Sequence, residues 1–146
     1  MAINPSNIVG SFRKTSPQKK VTDNTIDVFV YGSLRSGGAL DTTMFAGTYI
    51  GTKQTKPSYT MYDLGAFPCI TKGGDTAITV EHYVVSRLML KTLDRIESHP
   101  NMYKRVKITL DDKSKGFIYL WNREVLTSRP VVESGDWLEY LKESRN

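Results

Sequence analysis

The chain holds one cysteine, Cys69, two histidines, and no apolar run approaching the ~20 residues needed to cross a bilayer. Each scarcity removes a class of protein. A lone cysteine cannot close an intramolecular disulfide, so disulfide-built secreted scaffolds are excluded and a reducing, cytoplasmic compartment is expected. The N-terminal residues lack the apolar core of a secretory signal, which agrees with that expectation. His82 and His99 stand at no metal-ligand spacing from each other or from Cys69, so no zinc site is expected. The glycines after residue 31 carry neither the lysine–hydroxyl pair of a P-loop nor the dinucleotide-binding spacing. No metal and no organic cofactor are expected.

Acidic residues are absent from Met1 to Thr22, where Arg13, Lys14, Lys19 and Lys20 stand. Four of the 20 basic residues therefore lie in this segment, leaving 16 basic against 15 acidic residues in the remainder. The formal charge of +5 is concentrated at one end and the body is nearly neutral. That distribution argues against a nucleic-acid-binding domain. Residues 1–24 are rich in Ser, Thr, Asn, Lys and Pro, with Ile8, Val9 and Phe12 as apolar anchors. They read as a basic N-terminal extension, a solvated or loosely docked arm. Residues 25–146 read as one domain, and a chain of 146 residues can bury roughly two-thirds of its unfolded surface.

The body is mostly β in pattern. Strands are expected at Ile26–Tyr31, Thr48–Thr52, Tyr59–Tyr62, Thr76–Val85, Tyr103–Leu110 and Gly116–Trp121. The polar run Asp111–Lys115 makes the last two a hairpin. A helix is expected after Ser86, a good N-cap, because Met89, Leu93 and Ile96 recur at helical spacing. Pro100 ends it near Glu97-Ser98. Shorter helices are expected at Asp136–Glu143, with Trp137, Leu138 and Leu141 turned to the core, and at Ala39–Phe45. Strands of uneven order with a few short helices give an α+β fold with a small, mixed, barrel-like sheet.

Two clusters carry the candidate chemistry. In Val28–Arg35 an apolar strand runs into Gly32 and Ser33, and such a turn exposes backbone N–H groups that no strand partner uses. They suit an anion or a developing oxyanion. The second cluster is Leu93–Arg105. There Glu97 falls at the C-terminal end of the helix, where the dipole and partial burial both disfavour its ionised form. A glutamate so placed is suited to proton transfer near neutral pH. Cys69, after Pro68 in an apolar setting, reads as a buried inert thiol. Arg105 reads as a surface strand residue, with attraction of a substrate carboxylate as the alternative.

Four motifs occur in a recognisable order: Phe29–Arg35, Tyr62–Pro68, Leu93–Glu97 with Tyr103–Arg105, and Glu133–Trp137. Together, over about residues 26–138, the chain resembles the γ-glutamylcyclotransferase-like, or AIG2-like, superfamily. Its style is that of the short bacterial and γ-glutamylamine cyclotransferase branch. The resemblance implies a pocket floored by Tyr31, Gly32, Ser33 and Leu34, which bind the γ-glutamyl part of a substrate largely through backbone groups. It also implies that Glu97 is the catalytic general acid/base. Tyr103 reads as bordering the pocket through its hydroxyl, with a core aromatic having a wet tip as the alternative, and Trp137 as plugging the barrel or anchoring the last helix. The family pattern usually has glycine where this chain has Ser98, and favours glycine where Val80 precedes Glu81. The implied reaction is metal-independent cyclisation of a γ-glutamyl amine or γ-glutamyl amino acid to 5-oxoproline, with release of the amine.

A second reading stays open beside the enzyme. The same pocket could hold a small anionic metabolite or nucleotide-like ligand without turning it over, since fold does not fix function. Glu97 favours the enzyme, because an anion binder gains nothing from a carboxylate in its pocket. Either way the expected partner is a small molecule, not a membrane or nucleic acid. The residues carry no signature of a particular oligomeric state.

Overall fold

The computed structural model describes residues 24–38 and 46–144. Most of the basic extension, and the short helix expected at Ala39–Phe45, lie outside the described residues. Among the described residues seven strands and two helices follow one another: β1 (Thr25–Val30), β2 (Thr48–Gln54), β3 (Tyr59–Asp63), β4 (Pro68–Lys72), β5 (Thr79–Ser86), α1 (Arg87–Ile96), β6 (Tyr103–Thr109), β7 (Lys115–Trp121) and α2 (Trp137–Ser144). The fold is α+β. Five strands form a mixed sheet in the order β2-β5-β1-β7-β6, and β3 and β4 pair as a separate antiparallel hairpin. Among the described residues the sheet does not close into a barrel. Among the described strands only the β1–β7 pairing is parallel.

Strand β1 shows why the sheet is central. Val28 and Val30 point to one face and Phe29 and Tyr31 to the other, and all four are buried. The first pair joins Leu34, Leu90, Leu93, Tyr103 and Tyr119 in one core cluster. The second joins Met61, Ile70, Ile78, Ile118 and Trp137 in another. A strand covered on both faces needs a continuous apolar run, which Val28–Tyr31 supplies.

Helix α1 begins as its sequence dictates: the Ser86 hydroxyl accepts the Met89 N–H at 3.0 Å, a cap worth about 1 kcal/mol. Leu90 and Leu93 are its buried residues. Its C-terminus is a Schellman arrangement. Glu97 is the C-cap, Ser98 follows at φ +52°, the Ser98 N–H reaches Arg95 O at 3.1 Å and the His99 N–H reaches Asp94 O at 2.8 Å. This is the position where the family usually has glycine, the residue that adopts positive φ without steric cost.

Two expectations change. Strand β4 was not anticipated: it is short and opens on Pro68, a residue tolerated at the first position of a strand because its missing N–H lies outside the ladder. The expected long strand Thr76–Val85 is shortened to Thr79–Ser86, because Thr76 bridges to Tyr59 in the hairpin instead of joining the sheet. Val80 sits fully buried in the main core. Trp137 opens α2, is 2% exposed and stacks on Tyr140 at 5.5 Å.

Candidate active site

The chain leaves the sheet at Val30, the last residue of β1 paired with β5. It then turns at once: the Arg35 N–H reaches back to Gly32 O at 3.0 Å, closing a four-residue turn over Gly32–Arg35. The central amides of such a turn, those of Ser33 and Leu34, have no acceptor within it. Glycine is required at its first position by close approach. A Cβ on Gly32 would stand 2.9 Å from Pro68 Cγ and 3.0 Å from Cδ, so β4 can pack against the turn only in its absence.

Beside the turn lies a pocket of about 220 Å³. Its buried lining includes Tyr31, Leu34, Pro68, Tyr103 and Tyr119, and its partly exposed lining is Gly32, Ser33, Phe67, Ile96, Glu97 and Met102. Tyr31, Gly32, Ser33, Leu34, Glu97 and Tyr103, the residues expected to form the site, thus line one cavity. Among the described residues no lysine, arginine or histidine lines it. Phe67, Pro68, Met102 and Tyr119 complete the wall. Phe67 and Pro68 stood in a motif already noted, whereas Tyr119 carried no signal beyond its place in an apolar strand.

Glu97 is the one lining residue poised to titrate near neutral pH. It is half-buried in the lining of the pocket. Burial pushes its pKa up from the ordinary 4.5 to about 7. The phenols around it move out of range. Tyr31 is raised by burial, then by Tyr103 and by the negative charge of Glu97, while Tyr103 is raised by burial and then by Glu97. Tyr119 is raised by burial and by its hydrogen bond to Asp94. All three stay protonated through the physiological range. Their hydroxyls are also occupied: Tyr31 donates to Tyr119 O at 2.6 Å, Tyr103 to Pro68 O at 2.6 Å, and Tyr119 to Asp94 Oδ1 at 2.7 Å. Tyr103 therefore contributes a ring wall and a tether on β4.

Asp94, one turn before Glu97, fixes the end of α1 against the sheet. Its carboxylate takes Arg105 Nε at 2.9 Å and Nη2 at 3.1 Å as well as the Tyr119 hydroxyl. Burial raises the Asp94 carboxyl, but these hydrogen bonds outweigh burial and hold it below the usual carboxylate range. Arg105 is committed to this pair and lies over the Phe117 ring at 4.7 Å. It does not line the pocket. Glu81 is likewise outside it, with its carboxylate held by Arg35 Nε, Ser36 N and the Tyr83 hydroxyl. Cys69 is fully buried and its thiol is pushed up to about 12 by burial, so it stays a thiol.

The histidines are engaged elsewhere. His82 lies between Lys53 Nζ at 2.9 Å and Asp27 Oδ1 at 2.8 Å, and His99 Nδ1 accepts the Arg105 N–H at 3.0 Å. Among the described residues no helix is long and apolar enough to cross a membrane.

A mixed sheet whose first strand breaks into a glycine turn, with a half-buried glutamate at a helix end lining the same cavity, defines a small-molecule pocket of a known class. The family model described as gamma-glutamyl cyclotransferase, AIG2-like, matches residues 28–139, and the chain belongs to that family. A Vibrio cholerae protein named "Putative gamma-glutamylcyclotransferase" is 35% identical over 112 residues, covering 77% of this chain and 95% of the relative. The Danio rerio "Gamma-glutamylaminecyclotransferase A" is 31% identical over 109 residues, covering 64% of this chain and 68% of the relative. The crystal structure of an AIG2-like protein from Mus musculus superposes with a TM-score of 0.67 at 25% identity, covering 77% of this chain and 89% of that one.

Proposed function

We propose that this pocket cyclises γ-glutamyl compounds, an amine or an amino acid being the leaving group, to 5-oxoproline. The observation that carries the reading is the meeting, in one cavity, of a carboxyl raised to about 7 and a turn whose two central amides have no acceptor among the described residues. The reaction is intramolecular. The substrate's α-amine attacks its own γ-carbonyl carbon, a C–N bond forms to close a five-membered lactam, and the original amide C–N bond breaks. Because nucleophile and electrophile share one molecule, a bent, ring-like bound pose supplies much of the rate advantage.

Glu97, as carboxylate, takes the proton that the α-ammonium must lose before it attacks. As carboxylic acid it returns that proton to the departing nitrogen. The attacking nitrogen then sheds its second proton as it becomes the lactam N–H. Glu97 takes this proton and passes it to the released amine, so the amine leaves as an ammonium ion and the enzyme ends as it began. A group titrating near 7 is matched to both steps. The Ser33 and Leu34 amides meet the substrate's negative charge, either its α-carboxylate or the oxyanion on the γ-carbonyl oxygen. A cavity of about 220 Å³ is small beside the ~300–1,000 Å³ of drug-sized sites, so it suits the γ-glutamyl head with the leaving group outside. The lining also weighs against a purely anion-binding role. Among the described lining residues a bound anion would meet the Glu97 carboxyl with no cation to offset it.

The test is incubation of the full chain with a panel of γ-glutamyl amines and γ-glutamyl dipeptides, assayed for 5-oxoproline. Turnover of at least one member supports the reading. Binding of panel members without 5-oxoproline from any of them would establish the binding module instead.

A further inference from the structure

Directly behind the turn lies a second polar cluster that the reaction does not touch. Arg35 closes the turn and is 7% exposed; Glu81, on β5, is 5% exposed. Arg35 Nε donates to Glu81 Oε2 at 3.0 Å and Nη1 to Asp136 Oδ1 at 2.8 Å. The other Glu81 oxygen accepts the Ser36 N–H and the Tyr83 hydroxyl, both at 2.8 Å. Asp136 Oδ1 also accepts the Glu139 N–H at 3.2 Å, in the first turn of α2.

The placement is informative because Val30↔Glu81 is the last backbone pair between β1 and β5. Beyond it the chain abandons the ladder, and the Glu81 side chain takes over as acceptor for the chain that has left. It binds the two consecutive residues that end the turn, Arg35 through its side chain and Ser36 through its amide. The Arg35 carbonyl in turn accepts the Gly38 N–H at 2.7 Å. A buried ion pair is a weak source of stability, since apolar residues of similar volume often do as well; its best-attested use is to fix one geometry against others. None of Arg35, Glu81 and Asp136 lines the pocket, so they act on it only through the turn.

We propose that Arg35 and Glu81, with Asp136 closing the cluster, are positioning residues that hold the Ser33 and Leu34 amides in their substrate-receiving geometry. The inference rests on the cyclotransferase reading of the same pocket. The guanidinium suits the task because its planar fork meets Glu81 through Nε and Asp136 through Nη1, two donors held in a fixed geometry that a flexible ammonium does not reproduce.

The test uses Arg35→Lys and Glu81→Gln in the full chain, beside Glu97→Gln. Each is assayed for kcat and KM across pH on a γ-glutamyl compound that the parent turns over, with melting temperature measured in parallel. Arg35→Lys is expected to lower kcat/KM about 10²-fold, as a misplaced binding group does. Glu81→Gln keeps an acceptor for Ser36 and is expected to lose about 10-fold. In both, the acid limb near pH 7 stays where the parent has it, because Glu97 is untouched. Folded variants with parent kcat and KM would overturn the proposal. So would an acid limb that moves with the substitution, or activity lost only in step with unfolding. As a probe independent of turnover, 5-oxoproline is titrated against the ¹⁵N-labelled protein. Parent shifts at Ser33 and Leu34 that weaken in Arg35→Lys support positioning, and shifts of equal affinity in both proteins refute it. A parent that turns over while Glu97→Gln does so equally well defeats the mechanism but leaves the positioning test readable. A parent that neither turns over any panel member nor binds 5-oxoproline defeats both.

Discussion

At the scale of single residues, Glu97 joins two properties that pull against each other. Its pKa of about 7 suits proton transfer, and the burial that causes it makes the ionised form unfavourable in the folded protein. Below the pKa of the substrate amine, kcat/KM is expected to rise about tenfold per pH unit up to about 7 and then level. A rate–pH profile of the parent checks this. Glu97→Gln keeps the shape but cannot take the proton, so kcat is expected to fall ~10²-fold or more and the acid limb to disappear. Full activity in this variant would remove Glu97 as the base. Stability moves the other way. A carboxyl whose folded pKa lies above its unfolded 4.5 favours folding in its protonated form, and that advantage is lost as pH rises through about 7. Glu97→Gln is therefore expected to melt higher than the parent at pH 8 and equally near pH 4. Glu97 is only half-buried and solvent screens its charge, so the gain at pH 8 is about 1 kcal/mol. Thermal melts at the two pH values read it directly.

At the scale of elements, the C-terminus of α1 carries a strain that a substitution can relieve. Ser98 holds φ +52° because the Schellman turn demands a left-handed residue there. For a residue with a Cβ that conformation costs roughly 1–2 kcal/mol. Ser98 is exposed, so its hydroxyl is not needed for packing. Ser98→Gly is expected to stabilise the protein by about 1 kcal/mol, a rise of about 3–5 °C in melting temperature. Activity should stay within about twofold, because Glu97 keeps its cap position. An unchanged or lower melting temperature would mean that the loss of backbone freedom offsets the relief of strain. Both helix ends were legible in the sequence because their signals are local: a serine cap, apolar residues at helical spacing, and Pro100 beyond. The pocket was legible through motifs whose order survives folding. What stayed hidden was non-local. Strand β4 is short and begins with a proline, and Arg35, Glu81 and Asp136 meet across separations of 46 and 101 residues. No periodicity or spacing marks such a meeting in advance.

At the scale of the whole molecule, the sequence gathers its net charge at one end. Among the described residues both apolar clusters draw on positions between Ile26 and Leu141, and the family match spans residues 28–139. The basic segment Met1–Thr22 contributes four positive charges and no acidic residue. A segment with few large apolar residues has little burial to offer the fold. Removing residues 2–22 is therefore expected to change the melting temperature by no more than about 2 °C, which corresponds to less than ~1 kcal/mol in a domain of this size. Turnover of the γ-glutamyl panel should be unaltered. The same deletion takes the formal net charge from +5 to about +1, so retention on a cation exchanger should fall steeply with salt while the fold is kept. A loss of many degrees would show that Ile8, Val9 and Phe12 pack as part of the domain. Lost turnover at an unchanged melting temperature would instead assign the segment to the pocket. Melting, chromatography and turnover measured on one truncated protein separate these outcomes, because core packing, net charge and access to the pocket each control a different one of the three.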